Sequence, residues 1–385
     1  MDFELTQGQA MVRRQARDFA EKELAPLVKK SERRESIPRE VLTRMAKLGF
    51  LGAPIPEKYH GAGLDHISYG LICEEIGRIS ASVFTTSLTV QVSLVGQTIY
   101  QCASEEQKQK YLTRLCSGKS IGCFGLTEPN AGSDPASMET MAVPQDSHWV
   151  INGNKMWISN GGIADVALLF AQTDHAKAHR GIAAFLIERT MPGFSSKDIN
   201  GKLGLHASNT AELALEDCRV PAENMVGKVG DGFHVAMTAL DNGRYSTSAC
   251  CVGIAQACID ASIAYAQQRK QFGRPIGSFQ LIQDMVADMV VETEAARFLV
   301  YRVGQLKDKK MPHTREAAIA KYYASEAAVR VAKMAIQVHG GVGYSDNYPV
   351  ERYLRDAIGL VIYEGTSQVQ KLIIGRETLG IRAFA

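Results

Sequence analysis

The stretch GFHVAMTALDNGRYSTSACCVGIAQACIDASIAYAQQRKQFG, residues 232–273, has apolar side chains at helical spacing along nearly its whole length. Two more long helical patterns follow it, over residues 276–309 and 314–341, and the second ends in two glycines of the kind that stop a helix. The sequence therefore predicts a C-terminal helical bundle over residues 231–385.

The residues before this bundle divide into two regions with different periods. Residues 1–120 have helical spacing, and in SEEQKQKYLTRLC the residues Ser104 and Gln107 have the spacing of a capping box at a helix start. Residues 121–230 contain short apolar or alternating runs such as TAELALEDCRV, and Asn152-Gly153 indicates a β-hairpin. We therefore predict a mainly α fold with an N-terminal helical domain, a central β-barrel or sandwich domain and a C-terminal bundle.

Composition excludes several classes of function. The chain has 385 residues, 45% of them hydrophobic, which is enough for two or three packed units, and its net charge of +2 does not indicate a nucleic-acid surface. No apolar run is expected to span a membrane, and the N-terminal sequence lacks the order of a signal peptide. Eight cysteines without a CxxC pair are expected to be reduced core thiols of a cytoplasmic protein, and nine histidines without an HExxH motif predict no metal site.

Two stretches in the central region could contact a ligand. CFGLTEPNAGSDPASM, residues 123–138, has small residues that allow close backbone approach and adds the hydroxyls of Thr127 and Ser133. It could equally be a turn-rich connection between domains. In WIS, Trp157 and Ser159 are two positions apart on one strand face, where a flat cofactor could stack, although a core tryptophan is the commoner case.

Three stretches in the C-terminal region could likewise either contact a ligand or have an ordinary structural role. QQRKQFGRPIGSFQLIQ carries Arg269, whose guanidinium suits a phosphate, but it could be a solvated basic loop. Gly340-Gly341 in QVHGG allows close backbone approach or simply ends a helix. In VIYEGTSQVQKLIIGRETLG, Glu364 precedes Gly365 and Thr366, and it could be a catalytic carboxylate or part of an ordinary helix cap.

Taken in order, the stretches LTEPNAGSD, WIS, LDNGR, RKQFGRP, QVHGG and YEGTS resemble the acyl-CoA dehydrogenase family across essentially the whole chain. The resemblance implies the same order of helical, β and helical domains, with FAD bound between the β domain and the bundle. It also implies a homotetramer that passes electrons to an electron-transfer flavoprotein.

The resemblance assigns roles to individual residues. Those that would contact FAD are Phe124, Leu126, Thr127, Ser133, Trp157, Ile158, Ser159, Arg269, Phe272, Gln280, Gln337, Gly340, Gly341, Thr366 and Gln368. Those that would contact the substrate are Ser133, Asp241, Arg244, Tyr363 and Gly365.

Glu364 matches the catalytic base of the family. It would remove the weakly acidic α-proton of an acyl thioester while the β-hydrogen leaves as hydride to flavin N5, giving the trans-2-enoyl-CoA. Burial raises the pKa of a carboxyl group and makes its anion a better base, and the backbone at Gly365 could approach the thioester oxygen. A subgroup of the family carries its base on the long helix instead, at the position of Gly243, so that alternative base is absent.

The acyl group is predicted from a position where this sequence differs from the branch of the family that it most resembles. Several motifs most resemble the glutaryl-CoA dehydrogenase branch, which binds the distal carboxylate with an arginine; the matching residue is Thr85, and residues 82–96 contain no cation. Because an unpaired carboxylate is costly to bury, we expect a short or medium, neutral or mildly polar acyl group. An acyl-CoA oxidase, a dehydrogenase of carrier-protein-bound acyl groups and a non-catalytic helical scaffold are the alternatives.

Overall fold

The computed structural model describes residues 4–381, so residues 1–3 and 382–385 of the predicted terminal domains lie outside the described residues. The first part of the chain is helical, and its core includes Phe19, Met45, Ile72 and Phe84. The Ser104 side chain accepts from the backbone of Gln107 and the Gln107 side chain accepts in return, which confirms the predicted capping box. The helices are α1 (Gln7–Phe19), α2 (Ala25–Arg34), α3 (Arg39–Lys47), α4 (His66–Ile79), α5 (Ala81–Phe84), α6 (Gln97–Cys102) and α7 (Glu105–Cys116), with π-helical segments at Ala20–Leu24 and Thr85–Gly96.

The middle of the chain is a single eight-stranded sheet. Hydrogen bonds connect the described strands in the order β6-β7-β3-β2-β4-β5-β8, and β1 pairs with β4 in parallel. This path has two ends, so hydrogen bonds do not close it into a ring. The strands are β1 (Gly122–Gly125), β2 (Met141–Gln145), β3 (His148–Ser159), β4 (Val166–Gln172), β5 (Ile182–Glu188), β6 (Phe194–Asp198), β7 (Thr210–Pro221) and β8 (Met225–Val226).

The hairpin predicted at Asn152-Gly153 is wrong. Strand β3 runs through both residues, and the turn lies earlier, at Asp146-Ser147, where β2 ends and β3 begins. Gly153 instead has φ of 147° beside a register shift between β3 and β7, so it belongs to a bulge. A Cβ atom at Gly153 would lie 2.5 Å from Thr140 Oγ1, which explains why glycine occupies this strand position.

The C-terminal part is a bundle built around one long central helix, α8 (Gly232–Gln268), and the third predicted helical pattern ends at Gly340 as expected. Helix α8 packs against α4 of the N-terminal part and against three helices of the bundle, and strand β5 contacts its beginning at Gly232. The remaining elements are β9 (Lys270–Gln271), β10 (Arg274–Pro275), α9 (Gln280–Asp308), α10 (Thr314–His339), α11 (Val350–Ile362) and α12 (Ser367–Leu379).

Helix α8 is more apolar than the sequence analysis expected. By length and composition it could cross a membrane, and among the described residues it is the one helix that passes this test. Within its most apolar window 67% of the residues are buried by the rest of the protein, as in the core helix of a bundle.

Candidate active site

A cavity of about 450 Å³ opens between the β sheet and the C-terminal bundle. Its walls come from the π-helical segment Thr85–Gly96, the loop after β1, the end of β3, the start of α8 and the turn between α11 and α12. Chain segments that are more than 200 residues apart in sequence therefore meet here. The predicted site residues that line it are Phe124, Leu126, Thr127, Ser133, Trp157, Ile158, Ser159, Arg244, Tyr363, Glu364 and Gly365.

The turn between α11 and α12 directs Glu364 towards the cavity. Thr366 caps α12, because its side chain accepts a hydrogen bond from the backbone N–H of Val369, so this half of the cap hypothesis is confirmed. Glu364 and Gly365 both have positive φ, 56° and 91°, and this left-handed pair reverses the chain. The Glu364 side chain therefore leaves the start of α12 and lines the cavity instead.

Two buried hydroxyl groups hold the carboxylate of Glu364. Thr89 Oγ1 donates to Oε1 at 2.7 Å and Thr247 Oγ1 donates to Oε2 at 3.1 Å. Sequence reasoning missed both residues. Thr247 lies three residues after Arg244 on α8, so helical periodicity could have placed it on the same face. Thr89 lies in the π-helical segment, where neither the α-helical nor the β-strand period of side chains applies.

Burial and the polar neighbours of Glu364 have opposite effects on the pKa of its carboxyl group. Removal from water is the largest influence and raises the pKa of the Glu364 carboxyl above its ordinary value. The hydroxyls of Thr89 and Thr247, and then the positive charges of Lys321 and Arg244, act in the other direction. The carboxylate is thus a stronger base than an exposed one while retaining groups that stabilise its anion.

Gly243 leaves the space that the carboxylate occupies. A Cβ atom at this position on α8 would lie 2.5 Å from Glu364 Oε2 and 2.8 Å from Leu94 Cδ2. Because real Cβ atoms do not approach so closely, a side chain here and the observed position of Glu364 exclude each other.

Buried charges fix the loop that follows β1. Lys155 Nζ donates to Glu128 Oε1 at 2.6 Å and to the Leu126 carbonyl at 3.3 Å, and Glu128 also accepts from two backbone N–H groups. The neighbouring Met156 N–H donates to the Thr127 carbonyl at 2.9 Å. The loop is therefore an ordered wall of the cavity.

Trp157 is not a core tryptophan. It is 56% exposed, has φ of 61°, and lies in an irregular part of β3 where the pairing with β7 shifts register. Its indole lines the cavity together with Ser159, and Ile158 between them is buried. A large aromatic surface left uncovered beside a cavity is available to a flat ligand.

Arg244 is the buried cation of the cavity wall. Its Nη1 pairs with Asp241 Oδ1 at 2.6 Å, and its Nε has no hydrogen-bond partner among residues 4–381. Asp241 itself does not line the cavity, and its other oxygen accepts from Thr314. Asp241 is therefore connected to the cavity through its ion pair with Arg244. Lining residues that were not among the predicted site residues include Thr89, Val90, Leu94, Phe233, Met237, Leu240, Val369, Ile373 and Arg376.

The single chain does not bring every predicted cofactor residue to the cavity. The outlying residues belong to the connection after α8, the start of α9, the end of α10 and the cap of α12, and most are exposed. Phe272 is 93% exposed, and at Gly340 and Gly341 an added Cβ atom would meet nothing within 4 Å. The predicted residues outside the cavity are Arg269, Phe272, Gln280, Gln337, Gly340, Gly341, Thr366 and Gln368.

Comparison with known proteins places the chain in a family. Residues 6–119, 123–218 and 230–379 match the models of the N-terminal, middle and C-terminal domains of acyl-CoA dehydrogenase. A short-chain specific acyl-CoA dehydrogenase of Clostridium acetobutylicum is 46% identical over 374 residues, 97% of this chain and 98% of the relative. The chain belongs to the acyl-CoA dehydrogenase family. It is an FAD-dependent oxidoreductase that acts on acyl-CoA.

Other relatives in the family agree. Glutaryl-CoA dehydrogenase of Desulfococcus multivorans is 42% identical over 387 residues, 99% of each chain. The solved structure of butyryl-CoA dehydrogenase from Megasphaera elsdenii superimposes with a TM-score of 0.96 at 44% identity, covering 98% of this chain and 100% of that one. The predicted family, fold class and enzyme class are thus confirmed, and the relatives include both short-chain and glutaryl enzymes.

The cavity fits the flavin end of FAD. It has apolar walls, an uncovered indole at Trp157 and hydroxyls at Thr127 and Ser159 that could bond a polar ring edge. The surface position of Arg269 and of the Gly340-Gly341 pair in one chain does not complete a site for the diphosphate and adenosine end.

Proposed function

We propose that this acyl-CoA dehydrogenase forms a trans-2-enoyl-CoA from a short neutral acyl-CoA, with Glu364 as the base. The observation that carries this proposal is the position of the Glu364 carboxylate. It is held by Thr89 and Thr247 at 2.7 and 3.1 Å inside the cavity that also fits a flavin. A positioned carboxylate with a raised pKa is suited to proton abstraction from carbon.

Different residues of this chain have different roles in the proposed reaction. The carboxylate of Glu364 takes the proton from the α-carbon, while the two threonine hydroxyls fix its orientation. Apolar residues such as Leu94 and Phe124 exclude water around the developing charge. Bound FAD supplies the acceptor for the hydride that leaves the β-carbon. We propose that backbone groups near Gly365 lie against the thioester oxygen, where a hydrogen bond would stabilise the enolate-like charge.

We assign the acyl end of the cavity to Thr85 and Tyr363. Both line it, and their hydroxyls are 3.4 Å apart, so this end presents two neutral polar groups. Two arginines line other parts of the cavity, but Arg244 pairs with Asp241 and Arg376 pairs with Glu377. A distal carboxylate would have to compete for one of these cations, which favours a neutral acyl group over glutaryl.

An acyl-CoA panel followed by flavin bleaching tests the reaction and its substrate together. We expect butyryl-CoA or pentanoyl-CoA to give a higher kcat/KM than glutaryl-CoA. Thr85→Arg should raise the ratio of glutaryl-CoA to butyryl-CoA by about tenfold or more, since a close buried charge pair couples by roughly 1.5 kcal/mol or more. If glutaryl-CoA is the best substrate of the unchanged enzyme, the assignment of the acyl end is wrong.

We also propose a homotetramer in which neighbouring chains complete each FAD site. The exposed positions of Phe272, Gln280 and Gln337, away from their own chain's cavity, support this arrangement. Light scattering should give four times the chain mass. A fully active monomer would contradict the proposal.

The acceptor, the location and the domain limits complete the proposal. We propose an electron-transfer flavoprotein as acceptor rather than oxygen, so the reduced enzyme should reoxidise slowly in air and rapidly with that protein.

Eight free cysteines, most of them buried, support a cytoplasmic location. Domain limits near residues 120 and 230 are supported by the change from α7 to β1 and from β8 to α8.

A further inference from the structure

Lys321 is a buried cation directly beneath the turn that carries Glu364. Its side chain, on α10, is fully buried, and Nζ donates to the Gly365 carbonyl at 2.8 Å and to the Val361 carbonyl at 3.2 Å. A lysine that is removed from water in this way costs stability unless its charge is compensated. Burial accordingly lowers the pKa of Lys321 to about 8, so the ammonium form persists at neutral pH.

We propose that Lys321 is a positioning residue for the reaction: it fixes the Glu364–Gly365 turn through two carbonyl groups and places a positive charge behind the catalytic carboxylate. This inference rests on the proposed role of Glu364 as the base. Lys321 does not line the cavity, so it acts through Glu364 rather than on the substrate.

The position of the two carbonyl groups explains why the turn needs a donor. Val361 lies in the last turn of α11, where carbonyl groups lack helical partners and the helix end carries partial negative charge. Gly365 follows the left-handed Glu364, and its carbonyl also accepts from Gln370 Nε2 at 2.8 Å. Lys321 therefore connects the end of α11 to the turn and limits movement of residues 362–364 between them.

A neutral donor would satisfy these carbonyl groups as well, so a purely structural role does not require a charge. The charge acts on Glu364, because Lys321 and Arg244 are the cations that oppose the effect of burial on its ionisation. The other charged or titratable groups that face Lys321 are Cys251 of α8 and Glu326 of α10, and Cys250 and Tyr363 also lie near Glu364. Burial raises the pKa of Cys250, Cys251 and Tyr363 far above neutrality, so these three remain uncharged in the working range.

The pH profile of anaerobic flavin reduction at saturating butyryl-CoA separates charge from structure. Lys321→Gln keeps a donor but loses the charge, so the acid limb should move up by about one pH unit, the lower end of the effect of a nearby opposite charge. At pH values on the acid side of the limb, the variant should therefore reduce its flavin about tenfold more slowly than the unchanged enzyme. Lys321→Met should move the limb similarly and also lower the plateau rate, because the turn loses its donor. Lys321→Arg should keep the limb near its original pH if it folds.

Lys202→Gln is the matched control, because Lys202 also donates to a backbone carbonyl, that of Ser208, but its charged neighbours are Glu32, Glu35 and Asp198 instead of Glu364. This variant should lower thermal stability without moving the limb. If Lys321→Gln binds FAD and its limb coincides with that of the unchanged enzyme, Lys321 is only a helix cap and the inference is overturned. Glu364→Gln separates the two proposals, since near-normal flavin reduction in that variant contradicts the proposed base whatever the Lys321 variants do.

Discussion

Thr89→Val should change the pH at which the enzyme becomes active more than its maximal rate. Valine has nearly the shape of threonine, so the substitution removes the 2.7 Å hydrogen bond to Glu364 Oε1 and leaves the packing intact. The Ser246 hydroxyl loses its contact with Thr89 but keeps the Gly243 carbonyl as a partner. The ionised form of Glu364 is thus the main species affected.

The size of the effect follows from the strength of this hydrogen bond. A hydrogen bond to a charged group contributes about 1.5–3 kcal/mol, which corresponds to roughly 1–2 pH units at 1.36 kcal/mol per unit. Since the lost bond favoured the carboxylate, the acid limb should move to higher pH by that amount. Thr247→Val should move it less, because its hydrogen bond is longer at 3.1 Å.

Stopped-flow flavin absorbance at saturating butyryl-CoA, measured from pH 5 to pH 9, gives the limb directly. Thr86→Val is the matched control, because Thr86 lies in the same π-helical segment and its hydroxyl bonds Ser208 instead of the base. A Thr89→Val profile that superimposes on that of the unchanged enzyme would refute the idea that this hydroxyl stabilises the ionised base.

Three further predictions concern packing and charge. Gly243→Ala should lower flavin reduction by about 100-fold or more because its Cβ displaces the Glu364 carboxylate; Gly8→Ala, at an open helical position, should not. Lys155→Met leaves the buried Glu128 unpaired, so a melt should show a loss of about 3–5 kcal/mol, with weaker FAD binding. Above pH 8.5 the unfolding free energy should fall, because all eight cysteines have raised pKa values and the unfolded chain loses thiol protons first. Three lysines with pKa lowered to about 8 oppose this trend but are outnumbered, so equal stability at pH 8 and pH 10 under reducing conditions would contradict it.

Local sequence rules predicted the elements whose stability is local. The capping box at Ser104, the cap at Thr366 and the glycine that ends α10 each depend on contacts within a few residues. The long period of α8 similarly depends on one continuous buried stripe. The same rules failed where residues distant in sequence determine the local structure. Asn152-Gly153 has the composition of a turn, but pairing with β7 and contact with Thr140 make it a bulge.

The candidate site shows the same division. Motif resemblance led to Glu364, Trp157 and the loop after β1, and the structure brings all of them to one cavity. Thr89 and Lys321 could not be found in this way, because each reaches the Glu364 turn across a tertiary contact that no local spacing encodes. For the predicted FAD residues outside the cavity we propose a similar cause, since another copy of the chain would complete their site.

Anaerobic flavin reduction by butyryl-CoA in Glu364→Gln tests the central claim most directly. The amide is nearly isosteric with the carboxylate, so the variant should keep FAD, bind the acyl-CoA and retain the melting temperature of the unchanged enzyme within a few degrees. Its flavin should be reduced at least about 10²–10⁴-fold more slowly, the usual cost of removing a positioned base. Reduction at close to the unchanged rate would show that another group removes the α-proton and that Glu364 is only a residue of the turn.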